Sequence, residues 1–254
     1  MASRHTLNGF VLALGALLAV GCDWPGKPDP GTRQRAAEEL TSFVPLYRQH
    51  CVGCHGADGQ QGPAPPLNDP LFLAIVPDAE LERVIRRGRR GTPMPAFGIE
   101  AGGELSDAQV TALAQGLKSH WKSDEKLDEP LPSYLPADGD DSTRQPGDRE
   151  RGATLFAVAC AGCHGENGRG GEGSDANNAI HEPAFLALIS NQALRRIIIT
   201  GRSDLGMPSF AGKDGRPDDF STLTSPQIDD LVALLAHWRD EQGQLANPHT
   251  SNVP

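Results

Sequence analysis

Apolar residues recur at helical spacing in three stretches of the chain, and three matching stretches follow about 110 residues later. Leu40, Phe43, Val44 and Tyr47 fall on one face of a predicted helix that Thr41 or Ser42 can cap and that runs into Cys51. Pro45 sits in its first turn, where a missing N–H is tolerated. Leu81, Val84 and Ile85 mark a second helix, capped by Asp78 and ended by Gly88. Val110, Leu113, Leu117 and Trp121 mark a third, beginning at Ser106. In the later half, Phe156 precedes Cys160 by four residues, as Tyr47 precedes Cys51. Leu194, Ile197 and Ile198 follow a start near Asn191 and stop at Gly201, while Ile228, Leu231, Leu235 and Trp238 follow Ser225-Pro226. No segment alternates convincingly with the period of a strand. The expected fold is all-α with long loops.

The two halves are a repeat. Cys51–His55 matches Cys160–His164 at an offset of 109, and Pro70-Leu71-Phe72-Leu73-Ala74 matches Pro183-Ala184-Phe185-Leu186-Ala187 at 113. Gly88-Arg89 and Met94-Pro95 return at the same 113 as Gly201-Arg202 and Met207-Pro208, and His120-Trp121 returns at 117 as His237-Trp238. A four-residue insertion in the second loop accounts for the first shift. The order of these matches predicts two tandem domains, 41–121 and 148–239. Between them, residues 122–147 are acidic and carry Pro130, Pro132, Pro136 and Pro146, which reads as an interdomain linker. Residues 240–254 read as a loose polar tail.

Composition sharpens this. Only 38% of the 254 residues are hydrophobic and 5% aromatic, a thin supply for two small cores without an internal staple such as a metal or cofactor. Before the domains, Arg4 and His5 precede an apolar run from Phe10 to Val20, the layout of a signal peptide over residues 1–21. Leu18-Ala19-Val20-Gly21-Cys22 resembles a bacterial lipobox, which makes Cys22 a candidate for lipidation and residues 22–40 a flexible tether. The expected location is therefore outside the cytoplasm, on the periplasmic side of a membrane. Net charge is −10, and removal of residues 1–21 takes away Arg4 and no acid, leaving −11. Nucleic acid is excluded as a natural partner, and the basic patch of a redox protein is favoured.

Cys-x-x-Cys-His is the attachment pattern of c-type haem. Two intervening residues put both sulfurs on one side of a helical turn, each able to form a thioether with one vinyl group, and the next residue aims an imidazole at the iron. A thiol redox pair would need a βαβ context, and a zinc site would need more ligands. Two copies, each followed by His, favour haem bound covalently through Cys51 and Cys54, and through Cys160 and Cys163, with His55 and His164 as axial ligands. Past the initiator the chain has two methionines, Met94 and Met207, at equivalent places and each before a proline. Methionine usually fills core space, but here it occurs nowhere else. Thioether sulfur opposite histidine is the ligand pair of electron-transfer cytochromes c.

With these motifs, both halves resemble class I c-type cytochrome domains, over residues 41–121 and 148–239. The resemblance implies two such domains in tandem, with the first and last helices of each crossing near an aromatic pair: Tyr47 with Trp121, and Phe156 with Trp238. The family often places glycine four residues before the first aromatic. Gly152 fits, whereas Phe43 stands there in the first domain.

Other residues take plainer readings. His50 is expected to face solvent, and His120 and His237 to pack locally. His181 could reach a haem edge but is not expected to ligate. Arg89 and Arg202 repeat beside the methionine loop and could pair with haem propionates. Arg83, Arg86, Arg87, Arg89 and Arg90 form a basic cluster that could dock an acidic partner or be the wet face of one helix. The expected role is a tethered electron carrier between a quinol-oxidising complex or dehydrogenase and an oxidase or reductase. The rivals are a fixed subunit of a larger oxidoreductase, a dihaem peroxidase, which would need an open iron, and a gas or redox sensor.

Overall fold

The computed structural model describes residues 40–89, 92–124, 127, 130–137, 145–170 and 178–246. The predicted signal peptide, Cys22, nearly all of the tether, and Arg90 lie outside these residues. Helices α1 (Phe43–His50), α2 (Val52–His55), α3 (Pro70–Ile75), α4 (Asp78–Arg87) and α5 (Asp107–His120) make the first lobe. The second repeats them as α6 (Arg149–Ala159), α7 (Ala161–His164), α8 (Pro183–Leu188), α9 (Asn191–Thr200) and α10 (Ser225–Ala246). Among the described residues β pairing is limited to isolated bridges, Gly98 with Leu105 and Arg202 with Met207. The architecture is all-α and tandem, as the pattern predicts.

Local chemistry explains most of the helix ends. Ser106 and Gln109 form a reciprocal capping box at the start of α5. Ser190 caps α9 through the Ala193 N–H, and Gly88 and Gly201 end α4 and α9 with positive φ. Short helices α3 and α8 each begin with proline at the first position, and Asp69 accepts the Phe72 N–H to cap α3. At six residues they are too brief for periodicity to reveal. Asp78 is the first helical residue of α4 rather than its cap, which is Pro77. There its carboxylate suits the positive end of the helix and pairs with Lys118 at 2.6 Å. On α1 the buried residues are Leu46 and Tyr47, whereas Val44 is exposed.

In each lobe the first and last helices cross at the aromatic pair. Tyr47 and Trp121 meet edge-on with ring centroids 5.1 Å apart, and Phe156 and Trp238 do so at 5.2 Å. The close approach is obtained differently in the two lobes. In the second, Gly152 of α6 lies against α10, where a Cβ would sit 2.2 Å from the Asp230 carbonyl oxygen and 3.1 Å from Leu234 Cβ. In the first, the Phe43 ring packs on Gly116 of α5, whose own Cβ would lie 2.2 Å from that ring. The glycine has moved to the partner helix.

Two predictions about irregular segments change. Helix α10 continues through Ala246, so residues 240–246 of the expected tail are helical. No proline interrupts before Pro248, and extending an existing helix costs far less than nucleating one. Residues 130–137 of the linker are packed, for Pro132, Tyr134 and Ala137 are buried. Arg195 donates to the Ser133 carbonyl at 2.8 Å, Gln192 to the Tyr134 carbonyl at 2.7 Å, and Ala137 N–H to Asp229 Oδ1 at 3.4 Å. The Tyr134 ring lies 5.9 Å from Phe72. Leu71 and Ile75 of α3 join the apolar cluster of the second lobe, so the two lobes pack together within one compact unit.

Candidate functional site

Each Cys-x-x-Cys-His run forms one short helical turn directly after a longer helix, with the first cysteine at the junction. Cys51 N–H donates to the Tyr47 carbonyl and His55 N–H to the Cys51 carbonyl, both at 2.9 Å. The Tyr47 hydroxyl donates to Gly56 O at 2.9 Å and clamps the end of the turn. Cys160 and His164 repeat the backbone pattern. None of the four cysteines of these two runs is in a disulfide, and Cys54 and Cys163 are exposed. Burial pushes the Cys51 thiol up to about 12 and the Cys160 thiol up to about 11. Among the described residues no group of three or more His, Cys, Asp or Glu could hold a metal ion.

The two histidines are oriented alike. His55 Nδ1 donates to the Pro65 carbonyl at 3.1 Å, and His164 Nδ1 to the Asn178 carbonyl at 2.7 Å. Pro65 and Asn178 are equivalent at the 113 offset. A carbonyl can only accept, so Nδ1 carries the proton and Nε2 keeps its lone pair for a metal. Burial lowers the His55 pKa. The hydrogen bond to Pro65 opposes this, while Arg196 and Arg89 add to it, so the ring stays neutral as a ligand must.

The methionine loops follow α4 and α9. Gly88 and Gly201 turn the chain at φ of 64° and 71°. Arg89 N–H then bonds the Met94 carbonyl at 3.1 Å, and Arg202 N–H the Met207 carbonyl at 2.9 Å. Neither glycine can carry a side chain, because a Cβ would fall 2.6 Å or closer to the methionine carbonyl oxygen. In the second lobe Cys160, Cys163, His164 and Met207 line one solvent-open cleft. Its rim includes Asn178 and Arg216, and Arg216 donates to the Ala159, Ser209 and Gly212 carbonyls. Paired thiols, an imidazole with a free Nε2 and a thioether facing one cleft fit a covalent haem.

The remaining candidates separate. Arg89 donates to the Tyr134 hydroxyl at 2.9 Å, and Arg202 is held by Asp204 at 2.7 Å. The basic cluster is partly neutralised: Arg83 pairs with Glu80, and Arg86 with Glu100 and Asp107. His50 does not face solvent. Its side chain is 6% exposed, bonds Glu104 at 3.2 Å and meets the Phe97 ring, because α1 turns that side toward the loop after Met94. His120 packs on Phe43 and Trp121, and His237 bonds Arg149 and Glu241. His181 stacks on Trp238 at 4.4 Å, with its Nδ1 on the Asn167 carbonyl. Sequence reasoning missed Arg216, which lines the second-lobe cleft, and Arg196, which is buried against Pro66 and Phe72; nothing short of the fold marks either one.

Fold and site together define a tandem c-type cytochrome, with covalent haem chemistry and electron transfer as its business. The family model described as "Cytochrome C oxidase, cbb3-type, subunit III" matches residues 38–115 and again 147–225, together more than half of the chain. The chain belongs to this family of cytochrome c domains. The dihydro-heme d1 dehydrogenase of Pseudomonas aeruginosa is 43% identical over 68 residues, 27% of this chain, and that stretch spans 13% of the relative's length. A chain of the Kuenenia stuttgartiensis reducing HAO-like protein complex superposes with a TM-score of 0.44 at 20% identity, covering 81% of this chain and 97% of the other.

Proposed function

We propose that the chain is a dihaem cytochrome c that carries single electrons. One haem is attached at Cys51 and Cys54 with His55 and Met94 as axial ligands, the other at Cys160 and Cys163 with His164 and Met207. The observation that carries this is the second-lobe cleft, where both cysteines, the histidine and the methionine meet. The repeat extends it to the first lobe, where the histidine and methionine loops have the same hydrogen bonds. When bound, the group supplies one-electron chemistry at iron. The protein aims each imidazole through its Nδ1 hydrogen bond and stiffens each methionine loop with a glycine turn and a following proline; with His and Met both supplied to the group, no position would be left for a substrate. That closure favours transfer over peroxidase chemistry or gas sensing.

The chain works on the outer face of a bacterial membrane, exported by residues 1–21 and tethered through a lipid on Cys22. Among the described residues no helix is long and apolar enough to cross a membrane. Its partners are redox proteins, such as a quinol-oxidising complex or dehydrogenase on one side and an oxidase or reductase on the other. A second reading, a fixed subunit of a larger oxidoreductase, is favoured by the family description, which names an oxidase subunit, and by the relative, which is named a dehydrogenase.

A redox titration of purified holoprotein with optical and EPR readout tests the assignment. Two low-spin haems with histidine–methionine spectra are expected, and a single haem or a high-spin centre would overturn it. Purification in mild detergent distinguishes the two readings, since stoichiometric co-elution with other subunits counts against a free carrier.

A further inference from the structure

Arg196 of α9 belongs to the second lobe, yet it is buried in the first. Only 8% of its surface is exposed. Its Nη2 donates to the Pro66 carbonyl, and its Cζ lies 3.5 Å above the centroid of the Phe72 ring. Pro66 is next to Pro65, whose carbonyl holds His55 Nδ1. Consecutive carbonyls therefore receive the first lobe's haem-ligand histidine and a cation from the other lobe. Asp69 and Tyr134 lie near enough to temper the charge, and Arg89 and Arg202 near enough to repel it. Burial draws the guanidinium down only to about 10, so it is charged at neutral pH. The repeat does not return the favour. At the 113 offset the equivalent of Arg196 is Arg83, which is bound to Glu80 at 2.6 Å with half of its side chain exposed.

We infer that Arg196 is a potential-setting residue that the second lobe lends to the first lobe's haem, so that two sites of matching ligand sets are held at different potentials. This rests on the dihaem reading above. A fixed positive charge in a low-dielectric site opposes the extra positive charge of the oxidised centre and so favours the reduced one. The cation–π contact with Phe72 and the bond to Pro66 fix where the charge sits.

The test is redox titration of the full holoprotein with R196Q, R196K and R89Q, assigning each potential to its lobe through Met94→Ala and Met207→Ala. R196Q is expected to lower the first haem's ferrous-to-ferric ratio at fixed potential about tenfold, a shift of about 59 mV. The second haem should stay within about twofold, and R196K should leave both within about twofold. R89Q removes a half-buried guanidinium near the same histidine and should shift the first haem less, in the same direction. If R196Q does not accumulate as holoprotein, R196M, which fills the space over Phe72 without charge, carries the same expectation. The inference fails if the uncharged variants leave the first haem unmoved, if the second haem shifts as much, or if R196K shifts like R196Q. A haem count below two in the wild type sinks the dihaem reading instead.

Discussion

The two lobes solve one packing problem with opposite residues. Both need the first and last helices close enough for an aromatic pair to touch. The second lobe puts the glycine on the first helix, at Gly152, while the first lobe puts a phenylalanine there and the glycine opposite, at Gly116. What the repeat preserves is the separation of two helices, not the identity of either residue. The lobes also differ in how they are tied down. Arg195 and Asp229 form a fully buried pair in the second lobe, at 2.6 Å, and both hold the linker. The corresponding helix of the first lobe is held by Arg83 and Arg86 in ion pairs nearer the surface. Duplication has thus kept the histidine and methionine-loop hydrogen bonds in common and let the supports diverge.

The largest effects should come from the part held in common. Met94→Ala and Met207→Ala should each remove about half of the low-spin EPR signal and lower one potential, an equality that follows from the shared ligand logic. If both variants keep the wild-type spectrum, the methionine assignment is wrong. Next in size is Asp229→Ala, which strands a buried arginine and should cost about 3–5 kcal/mol in urea unfolding of the holoprotein. Loss below 1 kcal/mol would mean that the linker is held by something else. Gly116→Leu should cost about 1–3 kcal/mol or more by overpacking. Adding Phe43→Gly to it opens the room that the new side chain needs, and the cycle should show a favourable coupling above about 1 kcal/mol. Simple additivity would refute the exchange. The smallest effects concern caps. Ser106→Ala breaks a reciprocal box and should cost about 1 kcal/mol. Thr224→Ala should cost less, since the Thr224 hydroxyl donates to Gln227 Oε1 at 2.9 Å and the Gln227 bond to the Thr224 N–H survives.

Much of this was legible in the chain. The haem motifs, the scarce methionines and the aromatic pairs are all marked by residue type at fixed spacing. Helix α4 and its glycine stop could be read from Leu81, Val84, Ile85 and Gly88. The linker could not, because Pro132 and Tyr134 look like spacer residues until Gln192, Arg195 and Asp229 arrive from 58 to 92 positions away. Arg196 was equally opaque. It lies in the same run as the apolar Leu194, Ile197 and Ile198, and only the docking of the lobes turns it from a wet residue into a buried one. His50 reads as a surface residue for the same reason: Glu104 and Phe97 reach it across the fold.

The packed linker also bears on kinetics. With residues 130–137 wedged against both lobes, neither site must diffuse to find the other. On the dihaem reading proposed above, passage of an electron between them is a first-order step with a single rate constant, insensitive to solvent viscosity and to protein concentration.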